Sequence, residues 1–402
     1  MTDTTPIAPT YLPLSTIFDD SRPTFLIHKS WQYSGRLGEV ADSLAVLHKD
    51  KLGIGVVAPM FGYKRQKVRQ FLEGLDQVPF RIADPDLHRY ASSGWVDFVE
   101  RKAESEWTFS KEIPKKPKSS WVAQVLDAQR EAHATVLLSA SGWVDSVDAT
   151  KSLTTAMSFV KESRAQAGSS RMMVNLTLDS AWLSNEALRD ILLSEVVDSS
   201  EDAWYLRFYW PEMPVRYGQL VEPAILNGYR VLAETFASED KQLFLPNSGL
   251  TGWIATALGA TGFSTGLAWP EQAFARQRKM GGVAGRTPPP RIKRLFDKQL
   301  LHTMEFTEHE RLKELDDRQI FDTKFSLEIE ADDHSPELAG LHYLQGAGTL
   351  QAELVAKRSA EKAALRAINA GEKWIESLRR ADRPSGLNRP QHLPAWQALL
   401  KR

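Results

Sequence analysis

Met172-Met173-Val174-Asn175-Leu176-Thr177 is the stretch whose reading decides the fold. Its first three residues form an unbroken apolar run, the pattern of a strand covered on both faces inside a parallel sheet. Val136-Leu137-Leu138, within Thr135–Ala140, has the same character. Working outward, comparable short strands stand at Phe25–Ile27, Gly53–Ala58, Pro79–Ala83, Trp204–Trp210, Gln242–Leu245 and Gly262–Leu267, which brings the count to eight. Helical patterns separate most neighbours; in the first, Leu37, Val40, Ala41, Leu44 and Leu47 are spaced to form one apolar face. Eight parallel strands alternating with helices close most simply into a barrel. The expected class is therefore α/β, a (β/α)8 TIM-type barrel over residues 1–272 with a helical C-terminal extension over 273–402.

The connection between the third and fourth strands, residues 91–133, is long enough to be an insertion on the barrel rim. A helix is expected near 93–106, a Lys-rich loop at Lys111–Lys118 and a second helix near 120–133. After Trp269 the composition changes. Residues 276–298 carry eight bases against the single acid Asp297, around Gly281-Gly282 and Pro288-Pro289-Pro290, which reads as an exposed basic connector. Residues 305–337 hold twelve acids and four bases, enough to neutralise the connector within its own chain. Phosphate contact is the other reading, with Arg291, Lys293 and Arg294 as nucleic-acid contacts. A last helix, roughly 350–379, presents Leu350, Leu354, Leu365, Ile368 and Trp374 for docking on the barrel or on a partner protein.

Composition removes several classes of function. Lys and Arg number 50 against 51 Asp and Glu, so no global field holds the chain on nucleic acid or on a membrane. Cysteine is absent, which excludes disulfides, thiolate nucleophiles and Cys-ligated metals. Met1–Pro6 has neither a basic n-region nor an apolar h-region, and no stretch approaches the roughly 18 apolar residues of a membrane span. A cytoplasmic protein with no membrane association is expected.

Chemistry in such barrels sits at the C-terminal ends of the strands. Those ends supply Asp84, Asp86 and Asp179 as acid–base candidates. They also supply His28, Lys29, Trp31, Arg89, Ser141, Trp143, Asn175, Arg207, Tyr209, Asn247, Ser248 and Ser264 as binding candidates. Five strand ends carry Trp, whose flat face suits stacking on a base or sugar, though packing under rim helices serves equally.

Three established chemistries fit poorly. The fourth and seventh strands end in Ser and Asn rather than the facing carboxylates of barrel glycosidases. The first strand ends His28-Lys29-Ser30, without the His-x-His of metal hydrolases, so no metal or other cofactor is expected. The fifth and sixth strands lack a Schiff-base Lys; Lys29 is the one candidate, and an ion pair with Asp84 or Asp179 is its simpler role. Asp84-Pro85-Asp86 pairs two carboxylates, and nearby like charges raise one pKa. Residues two apart share a direction only if the strand continues through Pro85. The glycines around Ser248-Gly249 and Gly259–Gly262 leave a flavin or sugar-phosphate site as a third possibility.

The run Ala257-Leu258-Gly259-Ala260-Thr261-Gly262-Phe263-Ser264, the extension after it, and Leu341-His342-Tyr343-Leu344 together resemble the tRNA-guanine transglycosylase superfamily and its DNA-modifying relatives. The resemblance implies a barrel that binds a base, nucleoside or nucleic-acid segment. It departs from the family at three points. Phe263 is followed by Ser264 where the family has its Asp nucleophile, the Asp-Ser-Gly-Gly-Phe motif has only Asp84 as a candidate counterpart, and the zinc-binding cysteines are missing. Ordinary base exchange is therefore not implied. The competing expectation is a non-catalytic scaffold in a larger nucleic-acid-modification or phage-defence complex, docking its partner through the C-terminal helices.

Overall fold

The apolar runs form strands at all eight expected positions, β1 (Thr24–His28), β2 (Gly53–Pro59), β3 (Phe80–Asp84), β4 (Leu137–Leu138, shorter than expected), β6 (Met172–Asp179), β7 (Ala203–Tyr209), β8 (Gln242–Leu245) and β9 (Gly262–Thr265), and a short strand that was not expected, β5 (Trp143–Val144), follows β4. The structure is a computed structural model in which residues 8–30, 35–91, 106–110, 113–211, 219–267, 269–275, 294–315, 323–331, 335–355 and 359–401 are described. The ladder runs β3-β2-β1-β9-β8-β7-β6-β4 with every pairing parallel, and β5 pairs with the later part of β6. Counting β4 and β5 as one interrupted strand, this is a curled parallel sheet of eight strands.

The ladder does not close as the barrel expectation required. Between its two ends, the Thr135 and Val136 amides donate to Arg81 O at 2.9 and 3.2 Å, and Arg81 N donates to Thr135 Oγ1 at 2.8 Å. β4 is only two residues long, and pairing with β6 resumes only at Trp143, so too little extended backbone is left to build a β3–β4 ladder.

Alternation along the strands gives the sheet two faces. Phe25, Ile27, Ile54, Val56, Val174, Leu176, Leu206 and Phe263 pack outward among the helices. Leu26, Val57, Phe80, Ile82, Leu138, Met173, Tyr205 and Phe244 make a separate concave core. The N-terminal helix Leu14–Asp19, which the sequence reading did not identify, caps that core. Phe18 lies 5.2 Å from Phe80 and 5.8 Å from Phe244, centroid to centroid. Two residues beyond Leu26, Ile82, Met173 and Tyr205 stand His28, Asp84, Asn175 and Arg207, so the period of two places a polar layer directly above the apolar one.

The extension is less uniform than expected. Arg294–Asp297 (β10) and His302–Glu305 (β11) form an antiparallel hairpin in a region read as connector and helix. The single helix expected over 350–379 is two, Pro336–Val355 and Ala360–Ser377, the second started by Ser359, whose side chain accepts from Lys362 N. Docking is on the sheet domain. Trp253 Nε1 donates to Leu350 O at 3.2 Å, and Trp396 Nε1, from the helix His392–Leu400, donates to Leu220 O at 3.0 Å. Gly348 allows the close approach, since a Cβ there would stand 2.5 Å from Leu44 Cδ1 and 3.1 Å from Phe25 Cδ1. In the insertion, the helix Ser119–Glu131 forms as expected, while the helix expected near 93–106 lies almost wholly outside the described residues. No described helix is long and apolar enough to cross a membrane.

Candidate functional site

Arg207 is the centre of the concave polar layer and is 1 % exposed. Its Nη2 donates to Asp84 Oδ2 and lies 4.0 Å from Asp86 Oδ1. Its Nε donates to Asn247 Oδ1 at 2.9 Å, and its Nη1 reaches Thr177 Oγ1 at 3.4 Å and His88 Nδ1 at 3.2 Å. A guanidinium presents five N–H donors in a fixed fork, and here two strands, β3 and β6, and the segments following β3 and β8 supply its acceptors. Burial works against the charge of Arg207, and Asp84, Tyr205 and Asp86 outweigh it. Because Arg207 donates to His88 Nδ1, that nitrogen is an acceptor and the ring is neutral; burial and the Arg207 charge push its pKa well below the usual range.

The Asp84 and Asp86 pairing survives the end of β3 by another route. Asp86 leaves the strand, takes φ +49° and donates its backbone N–H to Asp84 Oδ1 at 2.9 Å, a local turn that brings the two carboxylates together. Burial first, and then the Asp84 charge, push the Asp86 carboxyl up to about 6. Its Oδ2 is buried without a hydrogen-bond partner among the described residues, and so is Asn175 Oδ1. The Asn175 amide nitrogen is held by Ser141 O at 3.3 Å, which aims that free oxygen. Buried polar atoms of this kind are uncommon, and a bound group or water is their usual explanation.

The other sequence candidates divide clearly. His28 joins the layer; burial and then Arg207 push its pKa down to about 4, and Nδ1 meets Lys29 O at 3.2 Å. Arg89 stands 3.9 Å from Asp86 Oδ1 and over the Phe61 ring. Tyr209 and Trp143 meet edge to face at 6.3 Å, and Phe274, which the sequence reading missed, lies 5.2 Å from Tyr209 and 5.3 Å from His88. Phe274 N donates to Asn247 O at 3.0 Å, which ties this ring over the layer. Trp31, Arg291 and Lys293 lie outside the described residues.

Several candidates have structural partners instead. Lys29 does not pair with Asp84 or Asp179. One residue past the inward His28, it points away from the concave face, with Nζ 4.1 Å from the Tyr63 ring centroid and 3.3 Å from Ser30 O, and burial lowers its pKa to about 8. Asp179 accepts from Ala181 N at 2.8 Å and from Ser146 Oγ, which fixes the turn after β6. Ser248 Oγ donates to Leu245 O at 2.7 Å. Ser264 Oγ accepts the Asn247 amide at 2.8 Å and is wholly buried. Ser141 Oγ is bonded to Asn175 O and lies 2.7 Å from Ser139 Oγ. Arg294 is turned inward, donating to Leu387 O at 2.9 Å and to Thr303 O. No group of three His, Asp or Glu able to hold a metal occurs among the described residues.

The layer can hold a neutral or partly protonated carboxyl beside a fixed positive charge, with two acceptor oxygens and an aromatic cover. Such a set can accept N–H donors and exchange a proton near neutral pH. Comparison of the chain with protein-family models, with curated proteins and with solved structures found no match.

Proposed function

We propose that the chain's curled parallel sheet is a divergent, open relative of the transglycosylase-type barrel and binds a base, nucleoside or nucleic-acid segment over its concave polar layer. The observation that carries this reading is the buried, unpartnered Asp86 Oδ2 beside the Arg207–Asp84 pair. The edge of a base offers N–H donors, and Asp86 Oδ2 and Asn175 Oδ1 are acceptors. Tyr209, Trp143 and Phe274 supply rings for its faces. Asp86, with its carboxyl near 6, is the acid–base group of the proposal. Covalent exchange at Ser264 is no part of it, because that hydroxyl is committed to the Asn247 amide.

A second reading, a scaffold without catalysis, is favoured by a specific observation: Asp84, Asp86, His88 and Arg207 are each at most 2 % exposed. One experiment separates the two. Purified protein is titrated with tRNA, single-stranded DNA and duplex DNA over a salt series, and the native protein is examined by mass spectrometry for a retained base or nucleoside. Binding or retention that is lost in Asp86→Asn supports the base-handling barrel. No binding and no retained ligand refutes it and leaves the scaffold.

A further inference from the structure

A cavity of about 390 Å³ opens on the rim, between the helix Ser119–Glu131, the helix Ala149–Ala167 and residues 140–143, the segment that leads from β4 into β5. Pockets that hold small ligands run from roughly 300 to 1,000 Å³ and combine an apolar lining with a few polar groups. The floor here is aromatic: Trp121 and Phe159 meet at 5.7 Å and 76°. The Trp121 indole N–H already donates to Phe109 O at 2.9 Å, so this ring offers the cavity a purely apolar surface. Ala156 also lines the cavity, and as a small residue it takes up little of its space.

The rim carries both signs of charge. Lys115 stands on the insertion, while Asp145, Asp148 and Lys151 stand at the start of the helix Ala149–Ala167. The loop holding the acids is fixed by two bonds, Asp145 N to Ser152 Oγ at 2.7 Å and Val147 N to Asp145 Oδ1 at 2.9 Å. The Asp148 and Lys151 side chains lie 3.9 Å apart and are 75 % and 84 % exposed, a contact too loose to keep either from a ligand. Leu87 lines the cavity beside Gly142, where an added Cβ would stand 3.3 Å from Leu87 Cβ, and its chain neighbours Asp86 and His88 belong to the concave layer.

We propose that this cavity is a binding site for a zwitterionic aromatic molecule, of the class of a free aromatic amino acid. The ring lies on Trp121 and Phe159, the carboxylate faces Lys115 and Lys151, and the ammonium faces Asp145 and Asp148. The inference rests on the charged rim and on Trp121 and Phe159, none of which the base-handling proposal uses, although Trp143 lines this cavity too.

The test is ligand-observed NMR and equilibrium dialysis on the full chain with L-tryptophan, indole and N-acetyl-L-tryptophanamide. Ala156→Leu puts a larger side chain on the cavity lining and lowers tryptophan binding tenfold or more, which is about 1.4 kcal/mol. Lys115→Glu lowers tryptophan binding roughly two- to fivefold, as an exposed ion pair allows, and leaves indole unchanged. The two uncharged probes bind more weakly than tryptophan. Equal binding of indole and tryptophan, undiminished binding in a folded A156L protein, or no binding of tryptophan overturns the proposal. If A156L does not fold, the contrast between tryptophan and indole in K115E decides alone, because Lys115 is an exposed residue whose replacement leaves the core intact.

Discussion

Removing either member of the Arg207–Asp84 pair leaves the other as a buried charge, and this is the sharpest consequence of the concave layer. The two side chains are 1 % and 0 % exposed. Breaking such a pair costs about 3–5 kcal/mol, whereas replacing both partners with apolar residues of similar size is often neutral. Asp84→Leu leaves Arg207 with Asp86 at 4.0 Å as a weaker partner, so its cost falls toward the lower end. Arg207→Met leaves Asp84 with the Asp86 amide and no cation, so its cost falls toward the upper end. For 402 residues unfolding together, an unfolding entropy of roughly 2.1 cal/mol/K per residue turns 3–5 kcal/mol into a melting shift of about 4–6 °C. Urea denaturation of the parent, both single variants and D84L/R207M completes a double-mutant cycle. The expected result is two damaged single variants and a double variant recovering most of the loss. Costs that simply add, with a coupling below about 0.5 kcal/mol, would falsify the pairing as described.

Three further outcomes follow from the same structure. Asp86→Asn removes a carboxyl whose pKa is raised in the folded state to about 6, so its native charge opposes folding above that pH. The variant is expected to be more stable at pH 7 by on the order of 1–3 kcal/mol, with the gain vanishing below pH 4; Asn also tolerates the positive φ at this position. Denaturation midpoints at pH 4 and pH 7 check it, and equal gains at both refute it. His28, His302 and His342 are each pushed down to about 4, chiefly by burial, so the unfolded chain takes up protons that the folded chain refuses. Their contribution is complete above about pH 6.5 and is lost as pH falls toward 4, each His costing about 1.4 kcal/mol per pH unit across that window; stability that stays level from pH 7 to pH 5 contradicts this. Trp396→Ala removes a wholly buried ring that packs 4.5 Å from His392 and 6.5 Å from Trp253. It should cost about 3–5 kcal/mol and speed amide exchange in the helix His392–Leu400; unchanged exchange there argues against docking through this ring.

The strands were legible because their signal is local. Met172-Met173-Val174 and Val136-Leu137-Leu138 read as strands covered on both faces; all six residues are buried, the first run lies in β6, and Leu137 and Leu138 of the second form β4. The helix Leu37–His48 followed from the spacing of its apolar residues. The N-terminal helix was not legible, since Leu14–Asp19 is six residues long and earns its place by fitting Phe18 against Phe80 and Phe244. Nor was the hairpin of β10 and β11, where pairing across the chain overrides weak local preference.

The sequence by itself determined the eight strand positions of the parallel sheet, the α/β class and the polar composition of the strand ends, because periodicity and chain order carry them. Tertiary structure alone decided which of those polar residues meet. Asp84 and Arg207 are 123 positions apart, and no local pattern pairs them; the curl of the sheet does. It likewise turned Lys29 outward by one residue of parity, committed Ser264 to a backbone amide, and left the ladder open at β4, where two residues of strand could not close it. Local chemistry is written along the chain, whereas burial, charge pairing and sheet closure are set by distances between segments the chain does not place side by side.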